Sequence, residues 1–292
     1  MSCLRHGGLL LLWLLSTPVY AFEHVVLISV DGLRPDAISA QTTPNIHRLL
    51  KRAIYTMQAK AVKPSFTMPN HTSMLTGLDS KEHGVNWNHQ RPDSYSGKTV
   101  FTILEDEGKS TSAFVAKPKL EFLLREVDTV HIEPSPEIEQ LLTGNSARNI
   151  ARLFIKTWNS APAAFTLIHL REPDSVGHEY EWMSDEYFAA VSHADTAIGK
   201  IVEEIELSTN TNNTAMIITA DHGGSGNNHG EDLTENRIIP WIVILPELQQ
   251  SIVIHSSIKT YDTMPTILSL LEIKINGTLR GVVPQEVLAK IK

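Results

Sequence analysis

The chain has 292 residues, 42% of them hydrophobic, with 33 acidic against 25 basic side chains and a formal net charge of −8. That length suits one large α/β domain or two small ones, and the apolar content is enough for a full core. The acidic balance, with no basic run anywhere, argues against a nucleic-acid groove.

At the N-terminus Arg5 and His6 precede an apolar run over residues 9–15, and Val19-Tyr20-Ala21 closes the segment in a small-residue cleavage pattern. Residues 1–21 therefore read as a secretory signal peptide, too short to span a bilayer comfortably. Its removal would leave 22–292 as a single domain exported to the periplasm or the extracellular space, with no membrane attachment. The one cysteine, Cys3, falls inside this segment. The exported chain is expected to hold together by core packing and metals, without a disulfide.

Residues 24–30 are a short, continuous β-branched run that reads as a buried parallel strand. The run ends in Asp31-Gly32, which puts a carboxylate at a strand's C-terminal end, as a ligand or as the N-cap of the next helix. Thr43-Pro44-Asn45 opens a helix with Ile46, Leu49 and Leu50 on its apolar face. Residues 55–62 are strand-like. In Phe66-Thr67-Met68-Pro69-Asn70-His71 the proline suits the first turn of a helix, which predicts Thr67 just before the helix N-terminus. Free N–H groups and the positive dipole end favour an anion there. A hydroxyl in that place is either a cap or a nucleophile that a metal could activate. His71 is read as structural. Residues 97–108 are predicted as helix and 110–116 as strand. Lys117-Pro118-Lys119 then offers two cations to a phosphate, although solvated surface lysines are the commoner case. Residues 136–158 are predicted as mostly one amphipathic helix.

Residues 164–170 form another buried strand, followed by Glu172-Pro173-Asp174-Ser175-Val176-Gly177-His178. In a tight turn Asp174 and His178 can reach one ion, whereas His169 lies inside the strand and is read as a core histidine. A long helix over 184–207 leads to a strand at 214–219. That strand ends in Asp221-His222-Gly223-Gly224, with His229-Gly230 just beyond. A strand at 238–245 and helices at 262–271 and 284–291 complete the chain. Strands alternate with helices, which predicts an α/β fold with a largely parallel sheet covered on both faces.

Three strands thus end in Asp31, Asp174 and Asp221, and two of those ends also carry a histidine. Loops at one edge of a parallel sheet converge, so these residues can build one site. Asp31, Thr67, Asp174, His178, Asp221, His222 and His229 are enough for two divalent ions. Each ion would have carboxylate and imidazole ligands and an open position. Two such ions clamp the attacking and leaving oxygens of a displacement at phosphorus.

The same pieces resemble the alkaline phosphatase superfamily and, within it, the type I phosphodiesterase/nucleotide pyrophosphatase group. The matching residues are Ser29-Val30-Asp31-Gly32, Thr67 with its flanks, His83-Gly84 with Asn88, Pro173-Asp174-Ser175-Val176-Gly177-His178, Asp221-His222-Gly223 and His229-Gly230. The helix over 262–271 looks like the family's last core helix. The resemblance implies an alkaline-phosphatase-like three-layer sandwich and two metal ions, zinc by family and ligand type. Asp174, His178 and His229 would hold one ion; Asp31, Asp221, His222 and the Thr67 oxygen would hold the other. Thr67 would attack phosphorus to give a phosphoryl- or nucleotidyl-threonine that water then hydrolyses, and Asn88 would donate to a phosphoryl oxygen. The implied substrate is a small phosphate ester or diester.

The family's larger members carry a long insertion between the counterparts of His222 and His229, where this chain has six residues. An open site without a cap is therefore expected. Two other outcomes are open at this point. Lys117-Pro118-Lys119 is similar to the Lys-x-Lys pair of phosphonoacetate hydrolases and would suit a phosphomonoesterase or phosphonate hydrolase. A catalytically silent metal-binding protein could use the same fold. No Cys-x-Pro-x-Arg motif supports a sulfatase. Trp87, Tyr180 and Trp182 either line a leaving-group pocket or serve as packing.

Overall fold

The computed structural model describes residues 22–275 and 277–291, so the signal-peptide expectation for 1–21 lies outside the described residues. Eight strands form one sheet: β1 (His24–Val30), β2 (Ile54–Lys60), β3 (Thr111–Val115), β4 (Thr129–Ile132), β5 (Phe165–Leu170), β6 (Thr214–Thr219), β7 (Ile238–Ile244) and β8 (Ile252–Val253). Their order across the sheet is β4-β3-β5-β1-β6-β7-β2-β8.

The sheet is parallel except at β7, which runs against both β6 and β2. The expected alternation of strand and helix fails there for a simple reason. No covering helix joins β6 to β7; the connection carries a loop and one short helix, Thr234–Arg237. Without a crossover the chain returns antiparallel.

Every residue of β1, β5 and β6 is buried, as their unbroken apolar runs require in a sheet covered on both faces. Helices Pro44–Leu50, Asn145–Trp158, Glu172–Tyr180 and Asp185–Leu207 pack together in one layer. Thr67–Thr76, Val100–Asp106 and Thr263–Leu270 pack together in the other. Helix Asp185–Leu207 starts where Ser184 Oγ accepts from Tyr187 N at 3.1 Å. Helix Asn145–Trp158 buries Ser146, Ala147, Ile150, Ala151, Phe154 and Trp158, one stripe at helical spacing.

The single helix expected over 136–158 is in fact two, Ile138–Leu142 and Asn145–Trp158. They are broken at Gly144, which has φ +67°. A Cβ on Gly144 would lie 2.6 Å from the His193 ring. The break lets helix Asp185–Leu207 pass close by, a tertiary demand that helical periodicity does not reveal.

Candidate active site

β1 lies between β5 and β6, with Ser29 paired to His169 on one side and to Thr219 on the other. The three following loops therefore leave the sheet at one level, and backbone bonds fasten them together. Asp174 N donates to Asp31 O at 3.0 Å, and Gly32 N donates to Asp221 Oδ1 at 3.2 Å. Gly32 has φ +72°, and a Cβ there would sit 2.9 Å from Asp174 Cα. Only glycine allows this approach.

Lys117 ends buried between two of the carboxylates. Its ammonium is 2.6 Å from Asp31 Oδ2 and 2.5 Å from Asp174 Oδ2. His169 Nε2 donates to the same Asp31 oxygen at 2.9 Å. The other oxygen of each carboxylate faces the histidines. His222 Nε2 is 3.4 Å from Asp31 Oδ1, 3.4 Å from Asp221 Oδ2 and 3.7 Å from Asp174 Oδ1. His178 Nε2 and His229 Nε2 are 3.4 and 3.5 Å from Asp174 Oδ1.

The imidazoles are held in one tautomer. Nδ1 of His178 donates to Asn227 O at 2.8 Å, that of His222 to Gly223 O at 2.7 Å, and that of His229 to Ser65 O at 2.6 Å. A carbonyl oxygen can only accept, so each Nδ1 carries the proton and each Nε2 presents its lone pair. The lone pairs of His178 and His229 then face each other at 3.2 Å. That contact is repulsive unless something positive lies between the two rings.

Asp31 Oδ1, Thr67 Oγ1, Asp174 Oδ1, Asp221 Oδ2 and His222 Nε2 are all buried without a hydrogen-bond partner. Buried polar atoms are costly to leave unpaired, and four of these, on Asp31, Asp174, Asp221 and His222, lie together. Their chemistry, carboxylate oxygen with imidazole nitrogen, is that of a divalent-cation site. The ligand atoms of Asp174, His178 and His229 lie within 4.8 Å of one another, and so do those of Asp31, Asp221 and His222. Each triplet could take one divalent ion.

The electrostatics agree. Burial raises the Asp31 and Asp174 carboxyls, but Lys117 and the neighbouring histidines outweigh it and hold both well below their ordinary range. Asp221 lacks such a partner; burial and the Asp31 charge push it up to about 7. Burial lowers His222, and burial with His222 lowers His229 to about 3, so both rings are neutral at physiological pH. His178 is raised by the neighbouring Asp174 carboxylate, which favours the charged ring.

Thr67 is the first residue of helix Thr67–Thr76, one place further in than expected, with Phe66 as the N-cap. Pro69 lies in the first turn, as predicted. His71, one turn on, donates from Nδ1 to Thr67 O at 2.9 Å and accepts from Ser29 Oγ at 3.0 Å, so it ties the helix start to β1. Met68 N, the next free amide of the helix, donates to Asn88 Oδ1 at 3.2 Å, and Lys119 Nζ donates to the same oxygen at 3.0 Å. With its oxygen engaged twice, Asn88 has its NH₂ left as a donor. Burial and the nearby Lys117 charge lower the Lys119 amine to about 8.

A cavity of about 550 Å³ opens on this side, lined by Asn88, Lys117, Lys119, Arg171, Asp174 and His178. Lys119 and Lys117 thus take different places: one holds Asn88, the other two carboxylates. Of the aromatics, Trp182 is buried packing. Its Nε1 donates to Gly32 O at 2.9 Å, and a Cβ on Gly224 would lie 2.1 Å from its ring. Gly224→Ala is expected to force this loop apart and cost about 1–3 kcal/mol of stability, read as a lowered Tm. An unchanged Tm would contradict that contact. Trp87 instead carries the Arg91 guanidinium 3.6 Å above its ring.

His169 and Arg171 were not singled out as functional from sequence. His169 looked like an ordinary strand residue, and its bond to Asp31 depends on the β1–β5 register. Asp174 and His178, placed in a tight turn from sequence, are one turn apart on helix Glu172–Tyr180.

The order of the strands and the helices on both faces of the sheet place the protein in the alkaline-phosphatase-like class of α/β folds. The chain belongs to the type I phosphodiesterase / nucleotide pyrophosphatase family, whose model matches residues 25–249. Ectonucleotide pyrophosphatase/phosphodiesterase family member 3 of Mus musculus is 25% identical over 229 residues, 70% of this chain and 25% of that protein. Bis(5'-adenosyl)-triphosphatase enpp4 of Xenopus laevis is 26% identical over 216 residues, 68% of this chain and 46% of that one. The chain thus spans a quarter to just under half the length of these relatives.

Among solved structures, inactive murine ectonucleotide pyrophosphatase/phosphodiesterase 5 in complex with AMP superposes with a TM-score of 0.73 at 15% identity. That match covers 92% of this chain and 99% of the other. The phosphonate monoester hydrolase of Agrobacterium radiobacter has the same TM-score, 0.73, at 15% identity over 92% and 77% of the two chains. At that identity the likeness shows the fold alone.

Proposed function

We propose that the protein hydrolyses phosphoric diesters or nucleotide pyrophosphate-type bonds by in-line attack of Thr67, through a phosphoryl- or nucleotidyl-threonine. The observation that carries this reading is the buried, unpartnered Thr67 Oγ1 at a helix N-terminus, in a fold whose strand ends bring together two carboxylate–imidazole triplets. Asp31, Asp221, His222 and Thr67 would hold one divalent ion and Asp174, His178 and His229 the second. Zinc best suits this mixture of oxygen and nitrogen ligands. When bound, such ions supply the charge that favours the threonine alkoxide and offsets the phosphoryl oxygens.

The chain's own groups do the rest. Burial of Thr67 excludes water from the nucleophile. The helix dipole and the Asn88 NH₂ face negative charge as it builds on phosphorus. His71 fixes the helix start against β1. Lys117 takes one oxygen of Asp31 and of Asp174, which aims the other oxygen of each at the histidines. Two divalent ions and Lys117, set against three carboxylates and the alkoxide, leave one positive charge. A diester monoanion neutralises it. The second reading, a phosphomonoesterase or phosphonate hydrolase, is favoured by Lys119, which has no carboxylate partner and stands beside Asn88.

Purified protein assayed on bis-p-nitrophenyl phosphate and p-nitrophenyl phosphate, with and without chelator, separates these readings. A chelator-sensitive preference for the diester is expected. The reverse preference moves the assignment to the monoesterase. Two bound metals with no turnover of either ester would leave a phosphonate hydrolase or a silent metal-binding protein.

A further inference from the structure

We infer that a small dianionic oxyanion, sulfate or phosphate, binds in a basic cavity at the end of the β2–β7 pair, between Lys81, Arg237, Lys259 and Arg280. This site shares no residue with the candidate active site and does not depend on the reaction proposed there.

The cavity has a volume of about 330 Å³, and five basic side chains line it against one acidic one. In a chain with a net charge of −8, that concentration is the reverse of the average surface. No run of the sequence announces it, because Lys63, Lys81, Arg237, Lys259 and Arg280 come from five separate segments.

The backbone sets the charges side by side. Lys60 pairs with Ile238 of β7 and also bridges to Lys259, and the next amide, Ala61 N, donates to Arg237 O at 2.8 Å. Like charges directly opposite on neighbouring strands destabilise a sheet. Burial, and then the Lys60 and Arg237 charges, lower the Lys259 amine.

The nearby acids are committed elsewhere. Asp79 accepts from Lys81 N at 3.2 Å and caps helix Ser80–His83. Asp262 accepts from Lys259 N at 2.7 Å and from Val282 N at 2.8 Å. Asp232 is shared between Lys63 and Arg237. Among the described residues no ion pair forms to Lys81, Lys259 or Arg280, and Arg237 Nε is buried without an acceptor. An anion placed among these groups relieves their repulsion. Two planar guanidinium forks with two ammonium point charges suit a tetrahedral oxyanion.

Acetylation of the purified protein with acetic anhydride, resolved residue by residue in peptide mass spectra, reports on this cavity even if the same anion also enters the active site. As sulfate or phosphate replaces chloride at constant ionic strength, the rates at Lys81 and Lys259 are expected to fall on the order of threefold or more. Lys109 and Lys156, exposed and outside the cavity, should keep theirs. Arg280→Gln, at an exposed position, should raise the half-protecting concentration about tenfold, and Arg280→Lys should recover part of that. Arg237→Gln should act in the same direction. Equal slowing at Lys109 and Lys156 overturns the proposal. So does an absence of slowing at Lys81 and Lys259, or a midpoint that neither Arg280→Gln nor Arg237→Gln moves.

Discussion

Thr67→Ala is expected to lower kcat on bis-p-nitrophenyl phosphate by on the order of 10³-fold or more, because it removes the proposed nucleophile, a buried hydroxyl with no hydrogen-bond partner, and loss of a nucleophile in such machinery costs factors of this size. The same substitution should leave the metal-free fold intact. Thr67 Oγ1 makes no hydrogen bond, so alanine breaks none, and removing a buried unsatisfied hydroxyl costs little. Thermal unfolding of the chelated variant should match or exceed the chelated wild type. The residual affinity of the Asp31–Asp221–His222 group should fall, since one oxygen ligand has gone. Thr67→Ser keeps the oxygen and should retain measurable turnover. If Thr67→Ala held more than a tenth of wild-type activity, the nucleophile would be elsewhere, a metal-activated water being the first alternative.

Metal removal should produce the second large effect. Without cations the site holds three buried carboxylates against one lysine, and two imidazole lone pairs pointing at each other. Binding to the folded state alone contributes about 2.7 kcal/mol per site at a hundredfold excess over Kd. Two sites should then shift Tm by on the order of 10 °C in a domain of this size. The shift should grow from pH 6 to pH 8, for reasons of proton linkage. Asp221 is raised to about 7 in the metal-free fold by burial and by Asp31, so a metal must displace its proton below that pH. Affinity therefore rises as pH approaches 7 and levels off above it. His229, lowered to about 3, is already neutral across this window and does not oppose the trend. A metal-induced Tm shift larger at pH 6 than at pH 8 would show that Asp221 is not a ligand.

Much of this arrangement is legible in the sequence because it sits at strand ends. Asp31, Asp174 and Asp221 each follow an apolar run, and a parallel sheet brings such ends together whatever the register. Thr67 announces itself through Pro69, since a proline in the first turn marks a helix start. What sequence does not show depends on distance in space. The Asp31–His169 bond requires β1 and β5 to be neighbours in one register. The role of Lys117 as a clamp on two carboxylates, where a surface lysine or a phosphate ligand was expected, requires the β3 edge to lie beside the β1 edge. β4 and β8 escaped notice because an edge strand of mixed polarity, or one of two residues, carries no hydrophobic period. The antiparallel β7 was hidden for a different reason: its sequence reads as any buried strand, and only the missing crossover sets its direction.

That missing crossover makes the protein modular. Between His222 and His229 the chain closes in a tight turn, with Ser225 N donating to Asn228 O at 2.9 Å and Asn228 N to Ser225 O at 3.1 Å around Gly226 at φ +55°. The turn projects from the site between two strands that are pinned to the sheet on their own. Polypeptide spliced in there begins and ends at nearly the same point, so closing even a long graft costs little chain entropy. Such a graft has to keep the Asn227 carbonyl in place, because that oxygen accepts from His178 Nδ1 and so turns the other ring nitrogen toward Asp174.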